Sequence, residues 1–247
     1  MDDLNLSHHI SQQFAAELED VRSRVLTMGG MVEDQLRGAV EAMVECDSEL
    51  AGEIADNDYL INRLEVEIDE ECTQILARRQ PAASDLRLVM AVIKTITDLE
   101  RIGDEAERVA RMAQHMASEN IADSLRMEIG HMGELVQSML HDVLDAFART
   151  DVNDAVDVVG RDRKVDNKFD SLTRQLITYM AENSRNIHSA LNVLWAARSL
   201  ERIGDRCKNI AEYVIYLVGG KDIRHTKLSR KLVQSKSQDE PEADELE

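Results

Sequence analysis

The chain has 247 residues, 43% of them hydrophobic and 31% charged, with a formal net charge of -19. That length holds one large domain or two small ones. The acidity excludes a phosphate-backbone binder, which needs a basic face, and suits a cation binder or a partner with a basic surface. With two prolines and 3% aromatic residues, against abundant Ala, Leu, Met, Glu and Arg, the expected fold class is all-α.

The first predicted helix starts after Asn5-Leu6-Ser7. Apolar residues fall at Phe14, Leu18, Val21, Val25, Met28 and Val32, and resume after a polar break at Gln35 with Ala39, Met43 and Cys46. This four-three spacing is a seam that packs against other helices. Gly29-Gly30 inside it marks a bend or a close approach, and Asp47-Ser48 supplies the turn and cap. A second helix places Ile54, Ile61, Ile68 and Ile75 seven residues apart and stops before Pro81. Ser84 or Asp85 is expected to cap a third, which carries Val89, Ile93, Ile96, Leu99 and Val109.

A fourth helix is predicted over residues 123–149, with Leu135, Met139 and Val143 inward, and a fifth over 153–181. The sixth carries Leu191, Leu194, Trp195 and Ile203, with Trp195 read as core, and closes at Gly219-Gly220. From Lys221 onward the composition is polar, first basic and then acidic. Residues 221–247 are expected to form a polar tail with too little apolar surface to fold alone.

Leu99-Glu100-Arg101-Ile102-Gly103-Asp104 returns letter for letter as Leu200-Glu201-Arg202-Ile203-Gly204-Asp205. Upstream, at an offset of 104, Asp47 matches Asp151, Ala51 matches Ala155, Asp58 matches Asp162 and Ile61 matches Val165; at the hexamer the offset is 101. The change of three fits a shorter hairpin loop in the second copy. The expected architecture is two tandem antiparallel three-helix bundles related by an internal repeat, residues 1–118 and 122–220.

The repeat locates the chemistry. Glu100 and Asp104 lie one helical turn apart on one face, as do Glu201 and Asp205. A hairpin turning near Pro81 brings Asp58 beside Asp104 and Asn62 beside Glu100. Its twin brings Asp162 beside Asp205 and Asp166 beside Glu201. Glu65, Asp69 and Asp170 fall about a turn further along, and Gly103 and Gly204 let the backbones approach. Carboxylates at this density need compensation. A cation held by oxygen ligands supplies it, with magnesium, calcium, manganese or iron as candidates. So would Arg101 and Arg202, or plain solvation of an acidic helix face.

Enzyme readings fare poorly. A di-iron bundle wants two Glu-x-x-His motifs and only Glu128 and His131 fit. There is no phosphate-cradling glycine loop, nucleophile elbow or helical zinc motif, so the chain is expected not to be an enzyme. Cys46, Cys72 and Cys207 are scattered at apolar positions and read as buried thiols in a reducing compartment. No run approaches the ~20 apolar residues of a membrane span. The expected location is cytoplasmic.

The duplicated hexamer, the Arg79-Gln80-Pro81-Ala82-Ala83-Ser84-Asp85-Leu86-Arg87 turn and Met28-Gly29-Gly30-Met31-Val32-Glu33 resemble the PhoU family, phosphate-transport accessory proteins of bacteria. Leu4-Asn5-Leu6-Ser7-His8-His9-Ile10-Ser11 and the run from Leu140 to Arg149 are similar to the enterobacterial-type members. The resemblance spans residues 4 to about 225. It implies a negative regulator of the phosphate-starvation regulon, an adaptor between the phosphate ABC importer's ATPase and the sensor histidine kinase. It also implies a homodimer that meets membranes only through partners and binds no nucleic acid. Divalent or iron-type metal ions are implied at Glu100, Asp104, Glu201 and Asp205, with Asp58, Asn62, Asp162 and Asp166 facing them. Asn62 stands where the family pattern has a carboxylate, which lowers the charge of the first site. A metal-buffering bundle without a specific signalling partner is the alternative.

Overall fold

Seven α-helices follow from these spacings in a computed structural model that describes residues 2–116 and 121–220. They are α1 (Asp2–Glu45), α2 (Ser48–Asp56), α3 (Tyr59–Arg79), α4 (Ala83–Met116), α5 (Asp123–Arg149), α6 (Val152–Glu182) and α7 (Ile187–Gly219). A short 3-10 turn, Ser184–Asn186, precedes α7, and no strand occurs among the described residues. The expected junction at residues 119–121 lies largely, and the tail from 221 wholly, outside the described residues, as do the side chains up to residue 11.

The seam of α1 is buried as its spacing predicts: Val21, Val25, Met28, Val32, Ala39 and Met43 are each at most 1% exposed. Gly29 and Gly30 do not break the helix. The chain reverses where Cys46 takes a left-handed φ of 59°, and Asp47 then caps α2 by accepting from the N–H groups of Glu49 and Leu50, both at 3.0 Å. The second copy repeats the device. Thr150 has φ 55°, and Asp151 accepts from Asn153 N at 2.8 Å and Asp154 N at 3.3 Å.

Three sequence expectations need correction. The second helix is not continuous, because a turn at Asn57-Asp58 separates α2 from α3. The matching stretch of α6 has Arg161 in place of Asn57 and stays helical, Arg being the better helix former and held by Asp142 at 2.6 Å. The third helix begins at Ala83, and Asp85 lies in its first turn, its N–H donating to Ala82 O at 3.2 Å, so neither Ser84 nor Asp85 is the cap residue. Trp195 is 59% exposed and Leu191 37%, while Ile203 is fully buried. Trp195 is a surface residue because α7 turns its inner stripe, Val193, Ala196, Ala197 and Leu200, away from it.

The two copies join through two antiparallel helix pairs. Between α1 and α5, a Cβ on Gly29 would stand 2.5 Å from Leu144 Cδ2, and a Cβ on Gly133 would stand 2.5 Å from Val40 Cγ1. The repeat exchanges Gly29 with Gly133 and Val40 with Leu144, so these contacts are twins. Between α4 and α7, Arg206 Nη1 donates to Asp98 Oδ1 at 3.2 Å and Ser199 Oγ donates to Glu105 Oε2 at 2.7 Å. The repeat exchanges these as well. The copies are thus related by a pseudo-two-fold axis, and their buried side chains merge into one core.

Candidate functional site

Three of the four pairings expected from the hairpin register are observed: Asp58 acts on Asp104, Asp162 on Asp205 and Asp166 on Glu201. In the first copy, α3 and the turn before it lie along α4. Asp58 is 7% exposed, and its Oδ1 would stand 3.3 Å from a Cβ on Gly103, so the missing side chain of Gly103 makes room for the carboxylate. Asp58 Oδ1 accepts from Gln35 Nε2 at 2.9 Å and Oδ2 from Asn62 Nδ2 at 2.9 Å. Asn62 Oδ1 and Gln35 Oε1 are buried without a hydrogen-bond partner.

Glu100, Asp104 and Glu65 complete this face. Burial pushes the Glu100 carboxyl above the ordinary range, and the charges of Asp104, Glu65 and Asp58 push it further. Asp104 is raised in the same way, first by burial and then by Asp58. Glu65 follows, with burial and then Asp69 as causes. Three neighbouring acids thus resist ionising together.

In the second copy Asp162 is 7% exposed; its charge acts on Asp166 and Asp205, and those two act on Glu201. Burial and Asp162 raise the carboxyls of Asp205 and Asp166. Glu201 is raised chiefly by burial, against the opposing pull of Arg198. Here, however, cations enter the cluster. Lys208 Nζ donates to Asp162 Oδ2, and Arg198 Nη1 donates to Glu201 Oε1 at 2.9 Å. Burial alone would lower the Lys208 ammonium, but its hydrogen bond to Asp162 and the nearby Asp205 and Glu212 hold it above its usual value.

The eight sequence-derived residues therefore fall into the two groups the register gave. Asn62 bonds to Asp58, not to Glu100. Of the two arginines offered as compensation, Arg202 instead pairs with Glu105 at 3.1 Å. Among the described residues, no three His, Cys, Asp or Glu side chains converge closely enough to hold an ion between them. Sequence reasoning missed Gln35 and Lys208. The break in the α1 seam at Gln35 was a legible signal. Lys208 was legible only by aligning the copies beyond the hexamer, where it replaces Glu107. The open cleft between α1 and α5, lined by Glu33, Arg37, Glu134 and His141, includes none of the eight.

A model of the PhoU domain matches this chain twice, over residues 25–113 and 129–214, once in each copy of the repeat. The chain belongs to the PhoU family. The phosphate-specific transport system accessory protein PhoU homolog of Pseudomonas aeruginosa is 54% identical over 226 residues, covering 92% of this chain and 93% of that protein. A crystal structure of PhoU from Pseudomonas aeruginosa superposes with a TM-score of 0.82 at 52% identity, covering 84% of this chain and all of the other. The phosphate transport system regulatory protein PhoU from Streptococcus pneumoniae gives a TM-score of 0.79 at 29% identity, over 85% of this chain and 98% of that one. Both are crystal structures of PhoU proteins, and the described residues here form helices with no strand. Among the described residues no helix is long and apolar enough to cross a membrane.

Proposed function

We propose that this chain is a cytoplasmic negative regulator of the phosphate-starvation regulon. It acts as an adaptor between the ATPase of the phosphate ABC importer and the sensor histidine kinase, works as a homodimer, and modulates phosphate uptake by contact and not by catalysis. The observation that carries this reading is the double PhoU match, together with a relative covered along 93% of its length and described as a transport accessory protein. The description of the Streptococcus pneumoniae structure as regulatory supports it. The helical surface also suits partner contacts. Ile187, Leu191 and Trp195 lie one turn apart along α7 and are 37–59% exposed, and their repeat twins Leu86 and Met90 on α4 are likewise exposed. An apolar stripe left in water on both copies fits a docking face better than a core.

The test is a phosphate-starvation promoter measured in phosphate-rich medium, in a host lacking its own copy. The wild-type chain is expected to restore repression, and failure to do so sinks the assignment. Trp195→Ala at equal abundance is expected to relieve repression if the α7 stripe docks a partner.

A second reading is favoured by the crowded carboxylates and the unpartnered oxygens beside Asp58: a cation-binding bundle, with Asp58, Asn62, Glu100, Asp104, Asp162, Asp166, Glu201 and Asp205 as ligands of magnesium, manganese or iron. Purification from lysate separates the two, since an adaptor retains the kinase or the ATPase and a buffer retains only metal.

A further inference from the structure

The last described residue, Gly220, leaves α7 beside the start of α4. Arg87 Nε donates to Leu217 O at 3.3 Å, and a Cβ on Gly220 would stand 3.7 Å from Arg87 Nη1. Because α4 and α7 run antiparallel, with Asp98 on Arg206 and Glu105 on Ser199, the outer face of the pair has three zones counted from that end. Leu86, Met90 and Val218 come first, 37–51% exposed. Arg206, Arg202 and Arg198 follow along α7, across from Arg101 and Arg108 on α4. Trp195, Leu191 and Ile187 close the face, 37–59% exposed.

The middle zone is a belt of guanidinium groups. The side chains of Arg108, Arg198 and Arg202 are 44–54% exposed, and Arg101 is exposed. The acids beneath them are not: Asp98 is 4% and Glu105 8% exposed. Glu105 serves both Arg108 and Arg202, Asp98 serves Arg206, and Glu201 serves Arg198. The belt therefore presents more cations than its own carboxylates match, in a chain of net charge -19.

Residues 221–247 hold the complementary charge. Between Lys221 and Lys236 the sequence has six lysines and arginines and one acid, whereas from Asp239 to Glu247 six of nine residues are acids and none is basic. We infer that the Asp239–Glu247 run lies back along the α4–α7 face of its own chain, its carboxylates on the arginine belt, and covers the face next to Trp195. At 1.5 Å per residue, the belt from Arg206 to Arg198 lies about 21–33 Å along α7 from Gly220. Nineteen residues separate Gly220 from Asp239, and an unconstrained chain of that length averages about 22–26 Å end to end. The run thus starts at the distance where a tethered contact has its highest effective concentration. The basic stretch before it is repelled by the belt, and the acidic clusters on either side repel the run itself, so the strip of arginines is where it settles. That the contact keeps a partner from the face rests on the docking reading above; the contact itself does not.

The experiment places a photo-cross-linking residue at Ala243, among the acids of the full-length chain, and maps its products by mass spectrometry in a mixture of isotopically light and heavy chains. Cross-links to α4 or α7 within one chain are expected. Cross-links between light and heavy chains seat the run on a second copy and overturn the inference, as do products confined to other helices or no product. Replacing the six acids (Asp239→Asn, Glu240→Gln, Glu242→Gln, Asp244→Asn, Glu245→Gln and Glu247→Gln) is expected to lower the α4–α7 product by on the order of fivefold, the effect of one or two surface ion pairs. Arg101→Gln with Arg108→Gln is expected to do the same, and leaves Glu105 bonded to Ser199 and Arg202. A product indifferent to both changes means that charge does not hold the run, and overturns the inference. Trp195, the chain's single tryptophan, reads the coverage: its quenching by acrylamide is expected to rise about 1.5-fold when the six acids are replaced, or in ~1 M salt, where screening reaches about 3 Å. Unchanged quenching overturns the coverage. In the promoter assay the six-acid variant is expected to repress more strongly than wild type. Equal repression by both removes the effect on partners and leaves the adaptor reading standing, whereas failure of both to repress removes that reading and leaves the contact to the cross-links.

Discussion

Glu100 and Asp104 each face burial first and another carboxylate second, so both hold their protons more tightly in the folded chain than in the unfolded one. The sign follows from linkage. With folded values raised above the usual 4.5 and 3.8, the folded state carries more protons between the ordinary and the raised values. The stabilisation is fully present below the ordinary values and is lost as pH rises through the raised ones. Metal-free protein should therefore gain melting temperature as pH falls through the raised values of these two carboxyls. Glu100→Gln with Asp104→Asn should raise the pH 7 midpoint by about 1–3 °C, since both groups are largely solvent-screened, and should flatten the pH dependence relative to wild type. A variant that melts lower at pH 7 without metal would mean that the acids are not in conflict. Glu17 behaves oppositely, because its hydrogen bond to Arg79 holds its carboxyl below the usual range. The residue-level subtraction of wild type from variant isolates the cluster from such groups.

At the level of helices, the sequence announced Gly29-Gly30 as a bend or a close approach, and the structure selects the second for one residue of the two. A Cβ on Gly30 would meet nothing within 4 Å, while one on Gly29 would strike Leu144. Its twin Gly133 was not singled out, because it lies in no Gly-Gly pair and its role exists only across the junction between copies. The two are not equally restrictive. Leu144 presents flexible tips at 2.5 and 2.9 Å, whereas Val40 presents both branches and its Cβ, at 2.5, 2.8 and 3.2 Å, on a side chain stiff at χ1. Gly133→Ala must move the α1 backbone, and that strain exceeds the roughly 1 kcal/mol gained in helix propensity. Denaturant unfolding should show a net loss of about 1–3 kcal/mol for Gly133→Ala and less for Gly29→Ala. Equal effects would show that the stiffness of Val40 does not matter. Gly30→Ala, in open space, should stabilise by up to about 1 kcal/mol.

At the scale of the molecule, the repeat gave the six long helices and the grouping of the acids, because each is set by spacing within one copy, but not the break between α2 and α3. How the copies meet was not legible, since a repeat carries no information about the face on which its units pack. That explains why Trp195, apolar and on a helix, was expected inside: the α7 stripe that is buried against α4 carries polar groups instead. Asp98 is 4% exposed and accepts from Arg206 at 3.2 Å and Tyr213 Oη at 2.8 Å. Glu105, 8% exposed, accepts from Ser199 at 2.7 Å, Arg202 at 3.1 Å and Arg108 at 2.9 Å. The two contacts occupy twin places along one antiparallel helix pair, Asp98 matching Ser199 and Glu105 matching Arg206, so the joint is a buried polar clamp formed twice about a pseudo-two-fold axis. Its members differ in redundancy. Asp98→Ala removes a buried acceptor from both Arg206 and Tyr213 and should cost about 2–4 kcal/mol, whereas Ser199→Ala leaves Glu105 with two arginines and should cost about 0.5–1.5 kcal/mol. Combining Asp98→Ala with Arg206→Ala should cost less than the sum of the single changes by about 1 kcal/mol or more, measured by urea unfolding as a double-mutant cycle. Strict additivity would mean that the two side chains do not stabilise each other, leaving the Glu105 contacts and the shared apolar core to hold the copies together.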